Sequence, residues 1–129
     1  MKFQPERAEG VNVIARHEPQ RLWVNAQVYT HSVLVPWQGA VLDWGVTSVD
    51  ALEVSHFERI LELQPALVIF GSGLKLQFVK PALYRSLIER GIGLETMDTA
   101  AACRTYNVLA SEGRTVVGAL LMPTPAAQG

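Results

Sequence analysis

The sequence predicts an α/β fold of three layers: a mixed central sheet, helices that flank it, and an additional β-rich layer from the N-terminal half. Two observations carry this prediction. Up to about residue 49, short apolar stretches alternate with polar residues and turn residues, a pattern typical of strands. From about residue 55 onward, segments with helical spacing alternate with short apolar runs, which indicates helices that connect strands of one sheet.

The N-terminal half is predicted to form strands and a hairpin. In residues 11–15, valine and alanine alternate with other residues, and apolar runs follow at 22–24 and 28–35. Residues 25–27, Asn-Ala-Gln, are expected to form the hairpin turn. A further extended stretch is predicted over residues 39–49, where glycines interrupt the chain.

The first helix is predicted from a capping box and a stop. Ser55 is followed three residues later by Glu58, and Pro65 ends the run. Between them, three apolar residues fall on one helical face: Phe57, Ile60 and Leu61. The apolar run 66–70 that follows is predicted to be a strand covered on both faces, at the centre of the sheet.

Two more helices alternate with two more strands. Pro81 starts the second helix and Gly91 ends it, with four apolar residues expected to face inward: Leu83, Tyr84, Leu87 and Ile88. Strands are predicted at 94–97 and 115–122. Asp98 or Thr99 is expected to cap the third helix, which runs to about Glu112.

Composition predicts one intracellular domain. The chain has 129 residues with 49% hydrophobic and 18% charged content, so residues 1–123 are expected to form a single domain and residues 124–129 a flexible tail. The formal net charge of −1 offers no electrostatic case for nucleic acid. The N-terminus has no signal-peptide pattern and no apolar run is long enough for a membrane span, which predicts a cytoplasmic location.

The best local candidate for a ligand site is Gly71-Ser72-Gly73, directly after the apolar strand. Glycines allow a sharp turn there, and open α/β sheets bind ligands at the ends of their strands. Neither a dinucleotide fingerprint nor a Walker loop is present, because residues 74–79 separate this turn from the next helix. A turn without a ligand is the alternative interpretation.

Polar residues of the third helix and nearby cations complete this candidate site. Asp98, Arg104 and Asn107 are the residues singled out. Arg104 and Asn107 are three positions apart, so one helical face would present a guanidinium and an amide together, and Asn107 is a weak helix former placed inside a helix. Lys75, Lys80 and Arg104 would favour an anionic ligand. Solvated charges, and a structural hydrogen bond for Asn107, are the alternative interpretations.

Other reactive side chains do not predict a catalytic or metal site. Cys103 is the only cysteine and lies in a small-residue strip, so we expect an inert buried thiol. The histidines have no metal-ligand spacing with one another or with Cys103, and no cofactor is predicted; they are His17, His31 and His56. The tryptophans form either packing contacts, which we expect, or an exposed partner surface; they are Trp23, Trp37 and Trp44.

Several separated motifs resemble the Mth-type domain family of unknown function, which includes a mitochondrial complex I assembly factor. They are Leu67-Val-Ile-Phe-Gly-Ser-Gly73, Gly91-Ile-Gly-Leu-Glu-Thr-Met-Asp-Thr99, Ala102, Thr105-Tyr-Asn107, Leu109, Glu112, Arg114, Val116 and Leu120. The resemblance spans about Val11 to Leu121 and implies the three-layer fold described above. Ser72 stands where many relatives have threonine, and the absence of a mitochondrial targeting extension favours a bacterial member.

Two functional hypotheses follow. The resemblance implies a non-enzymatic interaction or assembly-factor-like module with an unidentified protein partner. The alternative is a small-molecule binder or enzyme for an anionic ligand, which requires that the Gly71–Gly73 turn and residues 98–107 converge on one concave pocket. The sequence does not determine the oligomeric state.

Overall fold

The computed structural model describes residues 10–123, and the predicted tail at 124–129 lies outside this range. Within residues 10–123, eight strands and three α-helices occur in chain order, with two short 3-10 helices at Val49–Ala51 and Pro81–Tyr84. The elements are β1 (Ile14–Glu18), β2 (Arg21–Val24), β3 (Gln27–Tyr29), β4 (Val33–Val35), β5 (Leu42–Asp43), α1 (Val54–Leu61), β6 (Leu67–Gly71), α2 (Arg85–Glu89), β7 (Gly93–Met97), α3 (Thr99–Ser111) and β8 (Val116–Leu120).

The strands form two sheets. The first is an antiparallel meander, β1-β2-β3, and the second has five strands in the order β5-β4-β8-β6-β7. In the five-stranded sheet β8, β6 and β7 are parallel, whereas β4 is antiparallel to β5 and β8. The mixed central sheet and the additional β layer are therefore as predicted.

The two faces of the five-stranded sheet bury different elements. Because side chains alternate along a strand, Ile69 of β6 joins the core cluster that contains α3 and the three-stranded sheet. Val68 and Phe70 point the other way, into the cluster formed with α1 and α2. A continuous apolar run is needed in β6 and β8 because both of their faces are covered.

Several predicted elements have different boundaries in the structure. The prediction of one strand over residues 28–35 was wrong. This segment contains parts of two strands, β3 and β4, which belong to different sheets. The stretch 39–49 contributes only β5 and the first residue of the 3-10 helix Val49–Ala51, although Trp44 and Val46 are buried. The central strand is β8 rather than β6, because β8 inserts between β4 and β6.

Two helix details also differ from prediction. Helix α1 begins at Val54, and its N-cap is Glu53. The backbone N–H of Glu53 donates to His56 Nδ1 at 2.9 Å, as in a capping box. The capping box therefore uses Glu53 and His56 instead of Ser55 and Glu58. In the second helix Leu87 is fully buried, whereas Ile88 is 54% exposed, so its predicted inward position was wrong.

The tryptophans are used for packing. Trp44 is fully buried and donates its Nε1–H to the His56 carbonyl at 3.0 Å. Trp37 donates to the Ala110 carbonyl at 3.1 Å, and the half-buried Trp23 ring lies beneath the guanidinium of Arg16 at 5.0 Å. These contacts agree with the expectation that tryptophan packs instead of forming an exposed aromatic surface.

Candidate interaction site

The Gly71-Ser72-Gly73 turn lies against the start of α3 at the carboxyl end of β6. A Cβ added at Gly71 would lie 2.9 Å from Thr99 Cα, so only glycine fits this close approach. Gly73 has a φ of +107°, which favours glycine as well. The backbone N–H of Ser72 donates to the Met97 carbonyl at 2.8 Å, which joins the turn to the end of β7.

The side chain of Ser72 shapes the loop that follows it. Its Oγ donates to the Lys75 carbonyl at 2.7 Å and accepts the backbone N–H of Gln77 at 3.0 Å. Thr99 Oγ1 plays a similar part on the other side, since it accepts the Gly73 N–H at 2.9 Å and donates to the Leu121 carbonyl at 2.8 Å. The polar side chains at this turn are therefore engaged within the fold.

Asn107 and Asp98 are also engaged by backbone groups. The amide of Asn107 accepts the N–H of Ile14 at 2.9 Å and donates to the carbonyl of the same residue at 2.8 Å. The Asp98 carboxylate caps α3 by accepting the N–H of Ala101 at 2.9 Å. The structural hydrogen bond considered for Asn107 is thus present, and it connects α3 to β1.

The predicted site residues divide between two adjacent depressions. A small cavity of about 50 Å³ is lined by Gly73 and Asp98, while a cleft of about 430 Å³ between β1 and α3 is lined by Arg104 and Asn107. His17 lines both of them. Four predicted residues line neither depression: Gly71, Ser72, Lys75 and Lys80.

Burial shifts the pKa of two side chains of the cleft, His17 and Cys103, toward their neutral forms. Burial lowers the pKa of His17, and Arg104 lowers it further, while Asp98 and Glu18 act in the opposite direction. Burial raises the pKa of the Cys103 thiol to about 12, so this thiol is protonated at neutral pH. Cys103 is 4% exposed, which confirms the predicted buried thiol.

The feature that sequence reasoning missed is the segment after the turn, here called the apolar loop (residues 74–80). Leu74, Leu76 and Phe78 are 66%, 52% and 73% exposed, whereas Val79 is buried in the core shared with α1 and α2. Large apolar side chains at alternate positions in a segment without helix or strand were the available signal. Grouped exposure of this kind marks interaction surfaces.

The apolar loop belongs to a stretch of sequence that has cations and no acidic residues. No aspartate or glutamate occurs between Glu62 and Glu89. Lys75, Lys80 and Arg85 are exposed in this interval, and within residues 10–123 none of the three forms an ion pair. The loop therefore combines apolar side chains with unpaired cations.

The part of the chain that the structure describes contains neither a metal-binding cluster nor a membrane-spanning helix. Residues 10–123 contain no cluster of three or more histidine, cysteine, aspartate or glutamate side chains that could hold a metal ion. In the same range, none of the helices has the length and apolar character needed to cross a membrane.

Comparison with known proteins places the chain among relatives of the same fold. It is 36% identical over 101 residues to the mouse NADH dehydrogenase [ubiquinone] 1 alpha subcomplex assembly factor 3; the match covers 77% of this chain and 53% of that protein, so the chain spans about half the length of this relative. A crystal structure from Bordetella parapertussis is similar with a TM-score of 0.84 and 33% identity, over 89% of this chain and 98% of that one.

A solution structure from Bordetella pertussis, described as a Mth938-like domain, has a TM-score of 0.78 and 26% identity, and covers 99% of this chain and 96% of that one. The family model described as "Protein of unknown function (DUF498/DUF598)" matches residues 14–121. The resemblance proposed from the motifs is confirmed by these matches. The chain belongs to the DUF498/DUF598 family, with a Mth938-like fold.

Proposed function

We propose that the protein is a non-enzymatic, assembly-factor-like interaction module that binds a partner protein through the apolar loop. The observation that carries this proposal is the exposure of Leu74, Leu76 and Phe78, because apolar side chains grouped in one short loop gain free energy when a partner covers them. The mouse relative, named as an assembly factor, supports the same class of function.

The size of the loop sets the expected strength of binding. Three side chains with these exposures offer on the order of 300 Å² of apolar surface, whereas a stable interface buries about 800 Å² on each partner. An interface centred on this loop therefore holds its partner weakly. Weak binding suits a factor that must leave its partner after assembly.

The test is site-specific photo-cross-linking in cells. A photoreactive amino acid replaces Phe78 in one variant and Val108 in a control, because both side chains are exposed and Val108 lies on α3. We expect a discrete protein adduct from position 78 and none from position 108. Identical adduct patterns from both positions would rule out the loop as the docking site.

A second candidate function is the binding of a small anionic ligand in the cleft between β1 and α3. Arg104 favours it, because this exposed guanidinium lines the cleft and forms no ion pair within residues 10–123. A thermal-shift screen with phosphate and small carboxylates tests it. A rise in melting temperature that Arg104→Ala abolishes supports this function, and unchanged melting temperatures across the screen exclude it.

A further inference from the structure

The shape of the apolar loop is fixed before any partner arrives. Ser72 Oγ bonds backbone groups of Lys75 and Gln77, and the buried side chain of Val79 anchors the far end. These contacts fix the backbone of the segment that carries Leu74, Leu76 and Phe78. A partner that contacts them meets a preorganised surface, so less conformational entropy is lost on binding than with a flexible loop.

The charges around the loop specify the chemistry of that partner. A partner that covers Leu76 and Phe78 also approaches the ammonium groups of Lys75 and Lys80, which are the neighbouring exposed cations. Within residues 10–123 neither lysine forms an ion pair. Cations brought next to an apolar contact lose part of their hydration, which favours a partner that provides carboxylates.

The acidic residues of α1 favour a polypeptide over an anionic bilayer as the partner. Helix α1 packs beside the 3-10 turn that follows the loop, with the rings of Phe57 and Tyr84 5.9 Å apart. Three exposed glutamates lie on or next to this helix: Glu53, Glu58 and Glu62. An anionic bilayer covers a wide surface and is repelled by acidic side chains on an element beside the loop, whereas a narrow acidic segment needs to contact only the loop.

We propose that the partner presents an acidic, apolar polypeptide segment, whose apolar side chains cover Leu76 and Phe78 and whose carboxylates pair with Lys75 and Lys80. This inference rests on the proposed function and adds the chemical class of the partner. It predicts that binding weakens as salt concentration rises, because exposed ion pairs are screened.

The test is a titration of the ¹⁵N-labelled protein, followed by amide chemical shifts. The probe is a synthetic peptide of about twelve residues in which glutamate alternates with leucine or phenylalanine. Its comparator has lysine in place of every glutamate, and vesicles of phosphatidylglycerol are titrated separately. We expect the acidic peptide to shift the amides of residues 74–80, and the lysine peptide to leave them unchanged.

Charge-reversal variants provide the matched control. Lys75→Glu combined with Lys80→Glu should raise the Kd for the acidic peptide by about tenfold or more. Arg90→Glu combined with Arg114→Glu makes the same change in net charge at exposed positions outside the loop, and should change the Kd by less than about twofold.

Three results would overturn the inference: equal shifts from both peptides, no loop shifts from the acidic peptide, or binding of the loop to anionic vesicles without binding of the acidic peptide. The cross-linking experiment separates this inference from the proposed function. If position 78 still cross-links to a protein after Lys75 and Lys80 are reversed, the loop remains the docking site and only the acidic character of the partner is wrong.

Discussion

The amide of Asn107 on α3 binds both backbone groups of Ile14 on β1, accepting its N–H at 2.9 Å and donating to its carbonyl at 2.8 Å. A side-chain amide that pairs with a strand residue in this way takes the place of a neighbouring strand. The contact joins the three-stranded sheet to the helix that covers the central sheet. Asn107 is therefore a structural connection between two layers.

We expect Asn107→Ala to lower the free energy of unfolding by about 2–3 kcal/mol, because the Ile14 N–H and carbonyl lose their partners in a partly buried place. Chemical denaturation measures this change, and hydrogen exchange at the Ile14 amide should accelerate. Val108→Ala, at the next and exposed position, is the control and should change stability by less than about 0.5 kcal/mol. Equal effects of the two substitutions would contradict the assigned role.

A substitution at Gly71 tests the close contact between β6 and α3. Because glycine has no Cβ, it leaves room for Thr99, whose Cα would lie 2.9 Å from a Cβ added at position 71. Because that neighbour is backbone, Gly71→Ala must displace the helix, and we expect a loss of about 1–3 kcal/mol in thermal or chemical denaturation.

Gly93→Ala is the matched control for Gly71→Ala, since Gly93 lies beside Leu67 in the neighbouring strand pair. Its added Cβ meets Leu67 Cδ1 at 3.1 Å, and this methyl group can move aside. The alanine at position 93 should therefore cost clearly less than the one at position 71. The reverse order would show that the helix yields more easily than the leucine side chain.

Local patterns in the sequence were sufficient to predict most helices and strands, but not which strands pair with each other. β6 and β8 were recognisable because strands buried on both faces need continuous apolar runs. The central position of β8 depends on its pairing with β4, as in Val33 with Leu120, and such distant pairing leaves no local pattern. The histidine in the α1 capping box was missed because the usual motif has Glu or Gln there.

The candidate site was predictable only in part for the same reason. The hydrogen-bond partner of Asn107 is 93 positions away in the chain. The position of Asn107 on its helix therefore did not show that the amide already binds Ile14. The turn at Gly71–Gly73 was located correctly as a sharp turn after a strand. The exposure of Phe78 beside the burial of Val79 depends on how the loop crosses the core, which composition alone does not reveal.

Phe78 and Val79 are adjacent residues with opposite roles. Phe78→Ser should leave the free energy of unfolding within about 0.5 kcal/mol of the original value, because its ring is already 73% exposed. Val79→Ser places a hydroxyl in the core beside α1 and α2, and should cost about 2–3 kcal/mol. Denaturation curves of both variants measure these effects.

The same pair separates binding from folding. Phe78→Ser should reduce binding of the hydrophobic dye ANS and remove the partner adduct formed by a photoreactive residue at position 76, while the protein stays folded. Val79→Ser should reduce the adduct only to the extent that it unfolds the chain. Retention of the full adduct in folded Phe78→Ser would contradict a binding role for the ring.

Alkaline pH should destabilise the protein through Cys103. Burial raises the pKa of its thiol from 9.0 to about 12, and burial also raises the pKa of the Tyr106 hydroxyl. Above pH 9 the unfolded chain releases the cysteine proton, whereas the folded chain keeps it until about pH 12. The folded state then binds more protons, so the free energy of unfolding falls as pH rises through this window.

Cys103→Ala isolates this contribution. The free energy of unfolding of the original chain should fall relative to the variant by about 2 kcal/mol between about pH 8 and about pH 10.5, since each pH unit above 9 contributes about 1.4 kcal/mol. Denaturation at the two pH values measures the difference, and Tyr106 titrates equally in both proteins. A pH-independent difference would show that the thiol ionises as readily in the folded chain as in the unfolded one.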